Sequence, residues 1–366
     1  MYHFVLVGHF FVENFMTMRS LRILHIANFN QFKYAAWYMN LDAKLSLGFS
    51  QLNHAVYNFS QRDVARSENP FKSKNFGRKA MIKALFETVN NFRPELVVLG
   101  HSEMLDVETI RELRAVLPDT PFVMWYCDPL FREYEDVIDV SLLDQRAELV
   151  DVLFTTSGAE VLNEIVKGSC VAAHIPNWIH AGCESGKAFA NIKLENDLIY
   201  AGNDYNLAGR KSLLESLVDE TTDIKFALYQ ALGNPRIHGQ AYYDALGNSL
   251  MGLSLSRRFD VPWYTSDRMQ QEMGNGVCTI SPRTLGLTEL FAEDEVVWFD
   301  LEDEILEKVL WYKSNEAQAR QVAERGWQAA HERCNSKRVA QFILDLAFDQ
   351  ELSEDYEWSS QIIKKH

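Results

Sequence analysis

The chain has 366 residues, 47% of them hydrophobic, and a formal net charge of −15. That length holds two domains with a core each, while the acidic excess argues against nucleic acid, whose binding rests on Lys and Arg contacts to phosphate, and against broad adhesion to anionic lipid. The cysteines Cys127, Cys170, Cys183, Cys278 and Cys334 are scattered and form no CxxC, a usage that fits a reducing cytoplasm and argues against zinc.

Residues 4–12 are apolar but too short to span a bilayer, which takes about 20 residues, and no Lys or Arg precedes them as in a signal peptide. Residues 1–17 therefore read as an extension outside the fold. A peripheral membrane or partner contact is the competing reading. From Met18 the sequence looks like a domain start. Residues 21–27 (LRILHIA) are the near-continuous apolar run of a buried parallel strand, followed by a polar loop over 28–33. A second strand is expected over 52–59 and a surface loop over 60–76. Residues 77–92 form an amphipathic helix with Ile82, Leu85, Phe86 and Val89 on one face.

The strand PELVVLG (94–100) ends at His101, and after a helix over 106–117 the strand PFVMWYC (121–127) ends at Asp128. Both residues thus stand at carboxyl ends of neighbouring strands, where open α/β sheets bind ligands. A carboxylate or an imidazole there is suited to general-base work. The plainer readings are a turn at Asp-Pro and a capping His. A helix over 142–150, a strand over 152–156, a helix over 157–167 with Ser157 as N-cap and Gly168 as its end, and a strand over 170–175 complete this half. Residues 181–196, small and polar, read as a linker.

The second half opens with a strand over 197–202 and a helix over 207–218. Between them Gly202 lets a backbone approach a ligand, and Arg210 is suited to phosphate oxygens, although the stretch is neither GxGxxG nor a Walker loop. A strand over 223–229 precedes a loop, 231–240, that holds Arg236 and His238. A helix and the buried strand LMGLSLS then lead to a loop, 257–268, carrying Tyr264, Ser266, Asp267 and Arg268 just before a helix N-terminus. Free N–H groups and the helix dipole favour an anion there. The strand VCTIS follows, then a strand over 296–299. Asp300 is the expected N-cap of a helix over 301–313, so Glu302, Asp303 and Glu304 read as first-turn acids rather than metal ligands. Helices over 316–334 and 336–348 and a charged tail, 349–366, close the chain. No Asp-x-Asp motif stands at a strand end, so no metal is expected.

The order Tyr243, LMGLSLS, Arg268, Gly276, VCTIS resembles the C-terminal domain of CgeB-like bacterial glycosyltransferases, whose pattern is a Tyr, a short helix, an apolar strand, Arg-x-Phe-Glu-x-x-x-x-Gly and a strand. Gly202, Arg210 and WYCDP fit the same family. The departure is Gln271, which stands where the family has Glu, with Gln270 in place of the aromatic. Gln keeps hydrogen-bonding capacity but carries no charge. The resemblance implies an α/β fold of the GT-B class, two Rossmann-like domains facing a cleft: an acceptor-side domain over 18–180, the linker 181–196, a nucleotide-sugar-binding domain over 197–348, and a tail that crosses back to the first domain or stays loose. It implies a nucleotide-sugar co-substrate without further cofactor, held by Gly202, Arg210, Tyr264, Ser266, Arg268 and Gln271. A glycan, lipid-linked or protein acceptor would lie against Asp128 and His101, with Asn28, Asn30 and Lys33 of the first loop facing it. A sugar-nucleotide epimerase on the same scaffold and a non-catalytic nucleotide-sugar-binding partner are the alternatives. The expected location is the cytoplasm, at the inner face of the membrane if residues 1–17 touch lipid.

Overall fold

The computed structural model describes residues 19–130, 140–166, 169–204, 209–284 and 286–364. Three expectations lie outside them: the extension at 1–17, the helix end at Gly168 and the helix start at 207. The first domain runs β1 (Arg22–Ala27), α1 (Leu41–Gln51), β2 (Ala55–Ser60), α2 (Gln61–Ser67), α3 (Arg78–Phe92), β3 (Leu96–Leu99), α4 (Val107–Val116), β4 (Phe122–Tyr126), α5 (Val140–Ala147), β5 (Val152–Thr155), α6 (Ala159–Val166) and β6 (Val171–His174). The second runs β7 (Asn196–Ala201), α7 (Arg210–Asp219), β8 (Phe226–Tyr229), α8 (Gln240–Gly247), β9 (Ser249–Leu253), α9 (Asp267–Gly274), β10 (Cys278–Pro282), α10 (Leu287–Leu290), β11 (Val297–Phe299), α11 (Glu304–Ser314) and α12 (Glu316–Arg333). Helix α13 (Ser336–Ala347) and the short β12 (Ile362–Ile363) return to the first domain.

The alternation of side chains along a strand explains why the first sheet reads as continuous apolar runs. Leu96, Val98, Val123, Trp125, Val152 and Phe154 enter the core on one face; Val97, Leu99, Phe122, Met124 and Leu153 enter the core on the other. The strand order is β12-β6-β5-β4-β3-β1-β2, parallel except for β12. The second sheet, β11-β10-β9-β7-β8, is wholly parallel. These are two Rossmann-like layers, and the carboxyl ends of β3 and β4 face those of β7 and β9 across a cleft.

Several local expectations change. The stretch read as a surface loop holds α2, anchored because the Asp63 carboxylate accepts the Gln31 and Phe32 N–H groups (2.8 and 3.3 Å). Helix α1 went unread because its polar residues Asp42, Lys44 and Ser46 are buried rather than exposed, which erases the amphipathic signal. Ser157 does not cap α6; its hydroxyl accepts the Leu130 N–H at 3.0 Å, and the tail residue Gln361 caps the helix through the Ala159 N–H at 2.8 Å. Asp300 does not cap α11, which begins at Glu304; it pairs with Arg283 at 3.2 Å.

The domains are joined by more than the linker. Helix α13, adjacent in sequence to the second domain, packs on α1 of the first, and one core cluster runs from Phe49 and Trp178 through Phe342 to Met269 and Phe291. At the linker, Lys44 from α1 and Tyr243 from α8 both reach Glu184 Oε1, at 2.5 and 2.6 Å, while the His180 N–H donates to Oε2 at 2.9 Å. Lys44 and Glu184 have no solvent exposure. Each group compensates the charge or dipole that burial would otherwise leave unpaired.

Candidate functional site

On the second-domain wall, β7 ends at Ala201 and Gly202 begins the loop to α7. Arg268, in the first turn of α9, donates through Nε to the Ala201 carbonyl and through Nη1 to the Leu255 carbonyl, both at 2.9 Å. It therefore ties the carboxyl end of β7 to the segment after β9, and it stacks on the Tyr200 ring at 4.9 Å. Gly202 is required by this packing, since a Cβ there would lie 2.1 Å from Arg268 Nη2. Arg268 lines the cleft, and no side-chain or carbonyl partner holds its Nη2 among the described residues. Arg210 opens α7, donates to Asn203 Oδ1 at 3.2 Å, and leaves its buried Nε without a partner among the described residues.

Ser266 occupies the N-cap position of α9 in extended conformation without capping it through its side chain. Its N–H donates to Ser256 Oγ at 3.0 Å, and its hydroxyl is buried and has no partner among the described residues. Gln271 donates to Asp267 Oδ2 at 3.1 Å, one turn inside the helix. Tyr264 is buried beside them, and burial pushes its phenol upward. The neighbouring Glu272 is not part of the cleft wall. A Cβ on Gly252 would lie 2.6 Å from its carboxyl carbon, so it points under β9 and away from the cleft. Burial raises its pKa well above the ordinary value, and the Arg268 charge only partly opposes this.

The first-domain wall centres on His101. Its Nδ1 lies 2.8 Å from Asp42 Oδ2, and its Nε2 3.4 Å from Cys127 Sγ. The other Asp42 oxygen meets His25 Nε2 at 3.2 Å, and His25 Nδ1 meets Ser46 Oγ at 2.8 Å. Gly100 allows this approach, because a Cβ there would lie 2.0 Å from Asp42 Oδ1. Burial alone would raise the Asp42 carboxyl, but the two imidazoles hold it at about 2. Burial alone would lower His101, but Cys127 and Asp42 push it well above the usual imidazole value. The Asp42 carboxylate beside Nδ1 favours the protonated imidazole, in which both ring nitrogens donate. Burial raises the Cys127 thiol, and the charge and hydrogen bond of His101 beside it oppose that rise. Asp128 is bridged across the cleft by Arg257 Nη1 at 3.1 Å, and the Tyr126 hydroxyl donates to its other oxygen at 3.3 Å.

All eight residues singled out from the sequence line one cleft of about 450 Å³. The loop candidates Asn28, Asn30 and Lys33 are not in its wall. Sequence reading missed Asp42 behind the wall and Trp37 and Asn177 within it, and it placed Arg236 and Arg257 in loops without assigning them a role. Asn177 donates to the Thr265 carbonyl at 2.8 Å. Arg236 stacks on Trp37 at 4.3 Å, joining the loop after β8 to the loop after β1. Neither pairing has a local sequence signal; both are long-range. Among the described residues no group of three or more His, Cys, Asp or Glu is placed to hold a metal ion.

The architecture is that of the GT-B class. It is similar to the sucrose-phosphate synthase of Thermosynechococcus elongatus, with a TM-score of 0.63 and 11% identity over 90% of this chain and 98% of that one. It is also similar to Anabaena HepE in complex with UDP and glucose, with a TM-score of 0.58 and 11% identity over 89% and 98%. Trehalose-6-phosphate synthase OtsA gives a TM-score of 0.58 and 12% identity over 89% and 98%. At these identities the likeness is one of fold. Within that class, residues 210–345 match the family described as glycosyl transferase-like. No curated protein matches the sequence. No helix of the described residues is long and apolar enough to cross a membrane.

Proposed function

We propose that the protein is a glycosyltransferase of the CgeB-like type, moving a sugar from a nucleotide-sugar donor to a glycan, lipid-linked or protein acceptor. The observation that carries this reading is the division of the cleft. Arg210, Arg268 and the N-terminus of α9 form one wall, and His101, paired with Asp42, faces them from the other. HepE, of the same fold, is seen with UDP and glucose.

In this reading the donor diphosphate rests on Arg210, Arg268 Nη2 and Ser266, and the ribose on Gln271. The bond from the anomeric carbon to the diphosphate oxygen breaks as the bond to the acceptor oxygen forms. The two arginines meet the charge that grows on the leaving group, so the step runs without a metal. The His101 imidazolium donates to the sugar and orients it. Asp128, positioned by Arg257 and Tyr126, receives the acceptor's hydroxyl proton.

The test is a thermal-shift panel of nucleoside diphosphates and nucleotide sugars, with and without divalent cations. Binding to the folded state at a hundredfold excess over Kd contributes about 2.7 kcal/mol. A shift confined to one base supports the donor site and names the donor. No shift with any nucleotide removes the reading. Arg210→Ala and Arg268→Lys should then lose transfer; Arg268→Lys is preferred to Ala because the side chain also holds two carbonyls. Turnover of a nucleotide sugar with no acceptor present would favour an epimerase instead.

A further inference from the structure

Among the arginines of the cleft, each has its own acceptor except one. Arg268 holds two carbonyls, Arg210 an Asn oxygen and Arg257 a carboxylate. Arg236 has no hydrogen-bond or ion-pair partner among the described residues; it lies over the Trp37 indole at 4.3 Å. A guanidinium fixed by stacking has lost much of its rotamer freedom and some of its water, with no anion in return.

The place is built, not incidental. The loop bearing Arg236 is hydrogen-bonded at its base: Gln230 N–H donates to the Pro235 carbonyl at 3.1 Å, and Leu232 N–H donates to Asp204 at 2.9 Å. The facing loop of the first domain is clasped to it, with Gly239 N–H donating to the Ala36 carbonyl at 3.1 Å and Tyr38 donating to Gln240 Oε1 at 3.1 Å. His238 stands beside Trp37 at 5.2 Å. Burial lowers His238, and the positive charges of Arg236 and Lys33 lower it further, which marks this end of the cleft as locally positive on a chain of net charge −15.

The position also separates it from the diphosphate seat. Arg236 follows β8, the edge strand beyond β7, whereas Arg210 and Arg268 converge on the end of β7. Resting on the transferase reading above, we propose that Arg236, held on Trp37, recognises a second oxyanion of phosphate type on the substrates, separate from the donor diphosphate. Its source is a phosphate group of the acceptor or an additional phosphate on the nucleotide. The site exists only when the two domains are clasped, because Trp37 and Arg236 come from different domains.

The experiment is calorimetric titration of inorganic phosphate into protein already saturated with the nucleoside diphosphate that the panel identifies. Phosphate should bind the wild type. Arg236→Ala should weaken that binding tenfold to a hundredfold, the range of a charge-assisted contact, while nucleoside diphosphate affinity stays within about twofold. Arg236→Lys should lose most of it as well, because the paired donors and the stack go with the guanidinium. Trp37→Phe, which keeps an aromatic platform, should retain it. A tenfold loss of nucleoside diphosphate affinity in Arg236→Ala would overturn the proposal by placing the arginine on the donor diphosphate. Phosphate binding equally to wild type and Arg236→Ala would overturn it too. A rise in KM for a phosphorylated acceptor assigns the oxyanion to the acceptor; a rise for the donor alone assigns it to the nucleotide. If no nucleotide binds the wild type, the transferase reading fails separately, and phosphate binding to free protein that Arg236→Ala removes still supports the subsite.

Discussion

Asp42 and Lys44 lie two residues apart on α1 and carry opposite charges into different parts of the molecule. Both side chains are out of water, at 2% and 0% exposure. Asp42 is answered by two imidazoles, one of which, His101, opens onto the cleft. Lys44 is answered by one carboxylate sealed between α1, the linker and α8. A buried charge must be compensated in either place, but the consequences differ. The Asp42 pair can release a proton through the cleft, so it sets the state of a site residue. The Lys44 pair has no such outlet and sets how the two domains meet.

The largest effect should come from breaking the sealed pair. Lys44→Met leaves Glu184 ionised without its cation and should cost about 3–5 kcal/mol in chemical denaturation. Adding Glu184→Leu should recover much of that loss. A double variant no better than the single would show that packing, not charge, holds this joint. At the other arm, His101→Ala should lower turnover roughly 100-fold, the scale of one preorganised donor, with a smaller stability loss because His25 still answers Asp42. A stability loss equal to that of Lys44→Met would erase the distinction between the arms.

Asp42→Asn should act more gently and through pH. The raised His101 pKa contributes stability that is complete below the unfolded value of about 6.5 and is lost as pH rises through the folded value. The lowered Asp42 pKa contributes stability that is complete above about 3.9 and is lost as pH falls through about 2. These are two views of one interaction. The variant's deficit should therefore form a plateau between about pH 4 and 6.5 and shrink on both sides. The NMR titration of His101 should move to lower pH, and the alkaline limb of the pH–rate profile should move with it. An unmoved His101 titration would mean that Asp42 does not control it.

This contrast also marks what the sequence could tell. Strands such as 94–100 and 121–127 were legible because burial on both faces forces continuous apolar runs, and their carboxyl ends placed His101 and Asp128 on one edge. The family pattern placed Arg268 and Gln271 in one motif, although Arg268 read as the end of a loop and lies within α9. Helix α1 was not legible, because a helix whose polar residues face inward has no apolar stripe to read. With it went Asp42, which sets the protonation of His101, and Lys44. The clasp between Trp37 and Arg236 was equally silent, since it joins positions about 200 residues apart in chain order, and only the closed arrangement of domains brings them together. What periodicity encodes is the packing of elements; what it omits is polar pairing across elements.

The smallest effect is expected at Glu272, and it tests whether this acid, one residue beyond Gln271, takes part in nucleotide binding. Successive residues on a helix point about 100° apart, and here Gln271 faces the cleft while Glu272 lies under Gly252. Glu272 is raised by burial, so its contribution is complete below the unfolded value of about 4.3 and is lost as pH rises through the folded value. Glu272→Gln should unfold at nearly the same denaturant concentration as wild type near pH 4, become relatively more stable as pH rises, and leave nucleotide affinity unchanged. Gln271→Ala, by contrast, should weaken nucleotide binding. If the Glu272 change is the one that loses nucleotide, the donor ribose is held from beneath β9, and the face of α9 assigned to it is the wrong one.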